Sequence, residues 1–367
     1  MQSFERTTFT SFLSGLLVAL LTVVPSTQLG RKIPNLDLTQ AKALPKRSSP
    51  TAELPAELPA ELPVDPALPG LVAIREAYLA GAIPALRSGP VELVLRGYKP
   101  GLRATLEVRA GDRRVALKAY AKDAALEAAL YEALGGLAGD AGIRVPPLLA
   151  WDRNLRVLVM GWLEGPTAHE LVKTGQGKRA GELAASWIQR TTTLPMKLGS
   201  PLGAAPLLCR SRKWVAVLAA VDPDLGTAAT AVAAKLAQRQ PKEGVAHLVH
   251  GTLYDRHVLD LGDGPGLIDW DCFGQGPIEL DAGMFLATIW RIGLRYDALA
   301  GQAARAEQAF LAGTVGLLDE RALAWYRAAA LLRLASKAQE AKRQRPGWWA
   351  RADALLGEAA RLAEAVG

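Results

Sequence analysis

The stretch "LVHGTLYDRHVLDL", Leu248–Leu261, decides how the rest of the chain is read. Apolar residues at both ends bracket a polar centre that holds His250, Thr252, Asp255 and His257. With His247, three of the chain's four histidines fall here. A "GDGPG" turn follows at Gly262–Gly266, and then "LIDWD", Leu267–Asp271. Glycines and a proline between two short apolar runs predict a strand pair around Val258 and Leu267. Asp269 would then end a short buried strand, a placement that suits a hard cation such as Mg²⁺, with Asp271 as a further oxygen ligand. A second arrangement would gather His247, His250, His257 and Asp269 into a mononuclear hydrolytic metal centre. Against it, His247 and His250 are three apart on an extended stretch and project to opposite faces.

Upstream, "VELVLRGYKPGLRATLEVRAGDRRVALKAYA", Val91–Ala121, alternates in strand fashion with turn signals at "KPG" and "AGD". Three antiparallel strands are predicted. Gly97 and Gly101 lie at the first turn, where missing side chains let backbone N–H groups approach a phosphate. Lys118 sits inside the third strand and can hold phosphate as a point charge. "DAALEAALYEALGGLAG", Asp123–Gly139, reads as a helix ending at glycines. Glu127, one turn in, could pair with Lys118, and Glu132 competes for that role. "VPPLLAWD" and "LRVLVMGWL" add two strands, and after Glu164 the pattern is mainly helical. A strand-rich half feeding a helix-rich half predicts an α+β class with two lobes, not a repeating βαβ sheet.

The flanks and totals narrow the partners. Phe12–Val24, "FLSGLLVALLTVV", is shorter than the roughly 20 residues that cross a bilayer. It fits a signal-peptide core better, yet only Arg6 precedes it, offset by Glu5. Membrane contact is expected only if this run is an anchor or a signal; otherwise the protein is cytoplasmic. "AELPAELPAELP", Ala52–Pro63, puts a proline at every fourth residue, which blocks a helix and reads as a spacer. The expected organisation is an extension over 1–69, a strand-rich lobe over 70–160 and a helical lobe over 161–367. A net charge of +7 suits a phosphate-bearing ligand, and no Lys/Arg run has the density that nucleic acid needs. Two cysteines give no disulfide framework.

Taken in series, these motifs resemble the aminoglycoside phosphotransferase and choline kinase-like family, relatives of the protein kinases. The resemblance spans roughly Val91–Ala287, with a similar helical tail, "WYRAAALLRLA", beyond it. The family's catalytic segment reads H-G-D-x-x-x-x-N, followed by a strand pair and I-D-W. "HGTLYDRH" keeps His250, Gly251 and the spacing, and "LIDWD" is intact. "GPIELDAG" resembles the family's G-D-P-x-x-D-L-A and places Asp281 where a carboxylate holds the catalytic loop by its backbone; His250 would be structural. "LVMGWLEG" resembles the hinge, where Gly161 to Leu163 would meet the adenine edge, with Met160 and Trp162 at the nucleotide. The resemblance implies a kinase-like fold, ATP or another nucleoside triphosphate, Mg²⁺ at Asp269, and a small-molecule hydroxyl as acceptor.

The departures fall on the two most chemical positions. Thr252 stands where the family has its aspartate, and it takes up no proton at neutral pH. His257 stands where the family has a metal-binding asparagine, and it offers nitrogen to a hard cation. Asp255 or His257 could replace the lost base. The alternative is a pseudokinase, a nucleotide- or ligand-binding module without transfer.

Overall fold

The computed structural model describes residues 62–79, 91–110, 113–141, 144–338 and 347–365. The apolar run Phe12–Val24 and most of the proline repeat lie outside them. Among the described residues no helix is long and apolar enough to cross a membrane. The chain divides into two compact units, which in described residues are 62–124 with 148–162, and 125–147 with 163–365.

The first unit is built on strands β1 (Val91–Lys99), β2 (Arg103–Ala110), β3 (Arg113–Tyr120), β4 (Leu148–Asp152) and β5 (Val157–Gly161). They form one antiparallel sheet in the order β1-β2-β3-β5-β4. Strand side chains alternate between faces, so Val115, Leu117 and Ala119 of β3 line one face together. They join Leu93, Leu106, Val157 and Val159 in a core closed by helix α1 (Pro69–Leu79) through Leu71 and Ile74. The boundary expected at Gly70 falls inside this packing: Leu62 and Leu68 belong to the same core. Asp65 joins this segment to the sheet. Its carboxylate accepts the Gly101 N–H at 2.7 Å and the Tyr98 hydroxyl at 3.0 Å, which ties the segment to the β1–β2 turn.

The second unit is mainly helical. Its helices are α2 (Ala125–Ala141), α3 (Ala168–Lys173), α4 (Gly177–Thr191), α5 (Ala204–Ala219), α6 (Pro223–Gln238), α7 (Ile278–Arg295), α8 (Ala300–Gly313), α9 (Glu320–Ala338) and α10 (Trp348–Ala365). The helix opened by Asp123 in the sequence thus runs over Ala125–Ala141 and clusters with the helices, not with the sheet. Leu280 and Met284 of α7 pack with Trp325, Leu331 and Leu332 of α9 and Leu355 of α10 in one core. Close approach of α7 to α9 requires Gly283, since a Cβ there would lie 2.6 Å from the Arg327 backbone nitrogen.

Two small sheets interrupt the helices. β8 (Val258–Asp260) pairs antiparallel with β9 (Pro265–Leu267), with Val258 opposite Leu267 as the turn signals require. β6 (Ser200–Pro201), β10 (Gly274–Gly276) and β7 (His247–Val249) form the other. Together these short strands fix both ends of the His250–His257 loop.

Candidate active site

The loop is held by one buried carboxylate. Asp281, in the first turn of α7, accepts the His250 N–H at 2.6 Å and the Gly251 N–H at 2.9 Å. Burial pushes its carboxyl up to about 7, and the two N–H donors act in the opposite direction. Gly251 has φ +73°, and a Cβ there would run into the Cys272 carbonyl oxygen, so only glycine fits. His250 is fully buried; its Nε2–H donates to the Ile268 carbonyl at 2.9 Å, and its ring lies 4.7 Å from that of Trp270. It packs as a structural residue against Trp270; Asp269, expected to end a strand, instead lies in the loop after β9, which stops at Leu267.

The two residues weighed as replacements for the family's aspartate have different surroundings. Asp255 is 1% exposed. Its Oδ2 accepts from His169 Nδ1 at 2.7 Å, its carbonyl accepts the His169 N–H, and its own N–H donates to Thr288 Oγ1. These bonds turn it into the protein as a brace between the loop, α3 and α7. Thr252 is 4% exposed, and its carbonyl accepts the Tyr254 N–H at 2.7 Å.

His257 is placed differently. Its Nδ1 lies 2.8 Å from the Thr252 carbonyl, and its Nε2 lies 3.5 Å from Asp269 Oδ2. The two side chains are 13% and 26% exposed. Asp269 has φ +66°, a left-handed backbone that costs a non-glycine residue about 1–2 kcal/mol. Such strain points to a site where side-chain direction matters more than local comfort. Asp271, half-buried, follows in the turn after Trp270. Asp269 and Asp271 are oxygen donors of the kind Mg²⁺ takes alongside phosphate and water, and His257 adds a nitrogen. Among the described residues no three His, Cys, Asp or Glu side chains converge as a metal cluster, so neither the His247–His250–His257 arrangement nor Asp269 with Asp271 and His257 forms a three-residue set.

In the first unit, Lys118 is 5% exposed on β3. Cross-strand register puts it opposite Thr105 of β2 and Leu158 of β5, on the face away from α1. Ala116, Glu107 and Met160 share that face, and Met160 is buried. Glu107 is fully buried among three guanidinium groups, those of Arg96, Arg109 and Arg114. Burial alone would raise its carboxyl, but the hydrogen bonds from Arg109, Arg114 and Arg96 outweigh that and bring it to about 2. Arg109 is shared with a second carboxylate, that of Glu92, at 3.3 Å. Arg114 also stacks on Trp162, 4.4 Å from the ring centroid.

Gly97 lies at a bulge in β1 with open space around it. The Gly101 N–H, which the sequence reading offered to phosphate, donates to Asp65 instead. Glu127 is buried in α2 of the second unit. Sequence reasoning missed His169, Asp65 and the arginines around Glu107. The alternation of charged residues along β1, β2 and β3 carried a signal for the last of these.

A pocket opens beside the loop, lined by Gly251, Leu207, Trp214, Met284, Tyr326 and Arg333 among others. Its cavity volume is about 10 Å³, room for roughly one water molecule.

A sheet with a buried lysine on one face, and a helical unit that holds a His-Gly loop on an aspartate ahead of an Ile-Asp-Trp turn, define a kinase-like fold. The chain belongs to the phosphotransferase enzyme family, whose model matches residues 94–325. The crystal structure of a choline/ethanolamine kinase family protein from Mesorhizobium loti is similar, with a TM-score of 0.52 and 22% identity over 80% of this chain and 98% of that one. A thermostable mutant of aminoglycoside phosphotransferase APH(4)-Ia without ligands gives 0.55 and 14%, over 75% and 94%. A ternary complex of the same protein with AMP-PNP and hygromycin B gives 0.54 and 15%, over 76% and 95%. No curated protein sequence matches the chain.

Proposed function

We propose that this protein transfers a phosphoryl group from ATP, or another nucleoside triphosphate, to a hydroxyl of a small molecule. The observation that carries the reading is the loop itself: Asp281 holds His250 and Gly251, and Asp269 sits in strained backbone 3.5 Å from His257. The AMP-PNP held by one structural neighbour supports the nucleotide. On the sheet, Lys118 binds phosphate as a point charge. The roles of Glu127 as an orienting acid and of Met160 and Trp162 at the base rest on the family pattern. Asp269, with Asp271, would hold a divalent ion, and such an ion would supply charge neutralisation for the transfer.

Thr252 leaves the acceptor proton without a carboxylate. Asp255 is occupied by His169, so His257 is the titratable group of the loop that faces Asp269. Phosphoryl transfer depends mainly on positioning and charge neutralisation, and loss of a general base costs about 10²–10⁴ in rate. Slow turnover is the consequence. ATP supply and two free cysteines fit a cytoplasmic protein.

The burial of Thr252 and the engagement of Asp255 favour a second reading, a pseudokinase that binds nucleotide without transfer. Thr252→Asp separates the two. In a competent site it raises turnover by about 10²-fold or more. If neither protein turns over, yet both are stabilised by AMP-PNP in a melting experiment, the pseudokinase reading holds.

A further inference from the structure

We propose that the acceptor of this site carries an anionic group, a carboxylate or a phosphate, held by Arg291, Arg333 and the hydroxyl of Tyr254. The inference rests on the phosphotransferase reading for the presence of an acceptor, and on these three residues for its charge.

Tyr254 belongs to the loop itself, two residues after Thr252, and its N–H donates to the Thr252 carbonyl. Its hydroxyl is shut off from solvent and, among the described residues, has no hydrogen-bond partner. A buried donor left unbonded is destabilising, and native proteins keep few of them. Burial, the largest influence, pushes the phenol up, so it stays an O–H at neutral pH. Arg333 and Arg291 act on it in the other direction, and Cys272 and Asp271 act with burial. In the reading above, Asp271 serves the divalent ion, which leaves the two arginines for the acceptor.

Arg333 of α9 lies over the Tyr254 ring, 5.8 Å from its centroid, and lines the small cavity that Gly251 also lines. A cation–π contact accounts for that position, but not for an unbonded hydroxyl or a second arginine beside it. Arg291 comes from α7, and both guanidinium side chains are half-buried. Among the described residues neither pairs with a carboxylate, whereas Arg179 pairs with Asp260 and Arg327 with Glu307 in the same unit. The positions three and four residues away on their own helices hold no carboxylate, and two of them, Arg295 and Lys337, add like charge. Guanidinium groups only donate, and the buried phenol offers its O–H. An anion supplies the oxygen acceptors that all three lack, and the planar fork of arginine fits carboxylate or phosphate. A cationic acceptor would meet two like charges instead.

The test follows ATP-dependent transfer by the full chain with Mg²⁺ and four acceptor pools: sugar acids, sugar phosphates, neutral sugars and amino sugars. One anionic pool should show a kcat/KM at least about tenfold above the neutral and amino pools, and which one it is tells carboxylate from phosphate. Arg291→Gln and Arg333→Gln should each raise KM for that acceptor about tenfold and leave KM for ATP unchanged. Tyr254→Phe should weaken acceptor binding without lowering the melting temperature of the unliganded protein, because it removes a hydroxyl that has no partner. That variant keeps the proposal testable if the arginine variants fold poorly. Preference for neutral or amino sugars, or a rise in KM for ATP in place of the acceptor, overturns the proposal and leaves the phosphotransferase reading standing. If no pool is turned over, yet calorimetry shows an anionic pool binding to wild type and not to Arg333→Gln, the anion site stands and the phosphotransferase reading falls. If no pool is turned over and no anionic pool binds, both fall.

Discussion

Glu107 in the sheet and Asp281 in the helical unit are both carboxylates with no exposed surface, and the two are stabilised in opposite ways. Glu107 in the sheet meets three guanidinium groups, which bring it to about 2 despite burial. Asp281 in the helical unit meets two backbone N–H groups, and burial lifts it to about 7. Full positive charges outweigh desolvation, whereas two amide dipoles do not. The difference matches the proposed tasks. In the sheet, Glu107 gathers three guanidinium groups on one face. Asp281 instead fixes the backbone of a loop by accepting two N–H groups, a task that needs direction more than charge.

Removing the side chains puts the comparison at risk. Asp281→Ala strands two buried N–H groups, each costing about 1–3 kcal/mol, so a loss of about 2–6 kcal/mol is expected in denaturant unfolding. A loss below about 1 kcal/mol would mean that the carboxylate does not hold the loop. Glu107→Gln breaks three ion pairs, but its arginines are 31–44% exposed and can rehydrate. The expected loss shrinks from the 3–5 kcal/mol of a fully buried pair to about 1–3 kcal/mol. A larger effect for Glu107→Gln than for Asp281→Ala would invert the account.

The smallest effect is in pH, and there the two sites differ in sign. Asp281 is raised from an ordinary 3.8 to about 7, so the folded chain holds a proton there that the unfolded chain releases. Its contribution favours folding at low pH and is lost as pH rises through about 7. Glu107 is lowered from 4.5 to about 2, so its contribution is present above about 4.5 and is lost as pH falls toward 2. Unfolding free energies of wild type minus each variant, measured from pH 4 to 8, should fall with pH for Asp281→Ala and stay level above about 5 for Glu107→Gln. Parallel curves would show that the two carboxylates are held alike.

Much of the scaffold was legible in the sequence because it is encoded locally. Alternation marked β1 to β3, glycines and proline marked the β8–β9 turn, and motif order placed Asp281 beneath the loop. What was not legible depends on partners far apart in the chain. His169 and Asp255 are 86 residues apart, and nothing local to either announces the pair. Asp65 reaches Gly101 over 36 residues, which is why the early start of the fold and the use of the Gly101 N–H went unseen. The contact of His257 Nδ1 with the Thr252 carbonyl depends on a group that every residue carries and no sequence pattern reports.

The central claim is that an altered catalytic loop still serves phosphoryl transfer. The most direct measurement is ATP turnover by the full chain with pooled hydroxyl acceptors and a divalent ion, for wild type beside Asp269→Ala. The account predicts slow, ion-dependent transfer to an acceptor in the wild type and its loss in Asp269→Ala. Equal turnover by both proteins, or none by the wild type with Mg²⁺ or Mn²⁺, would contradict it.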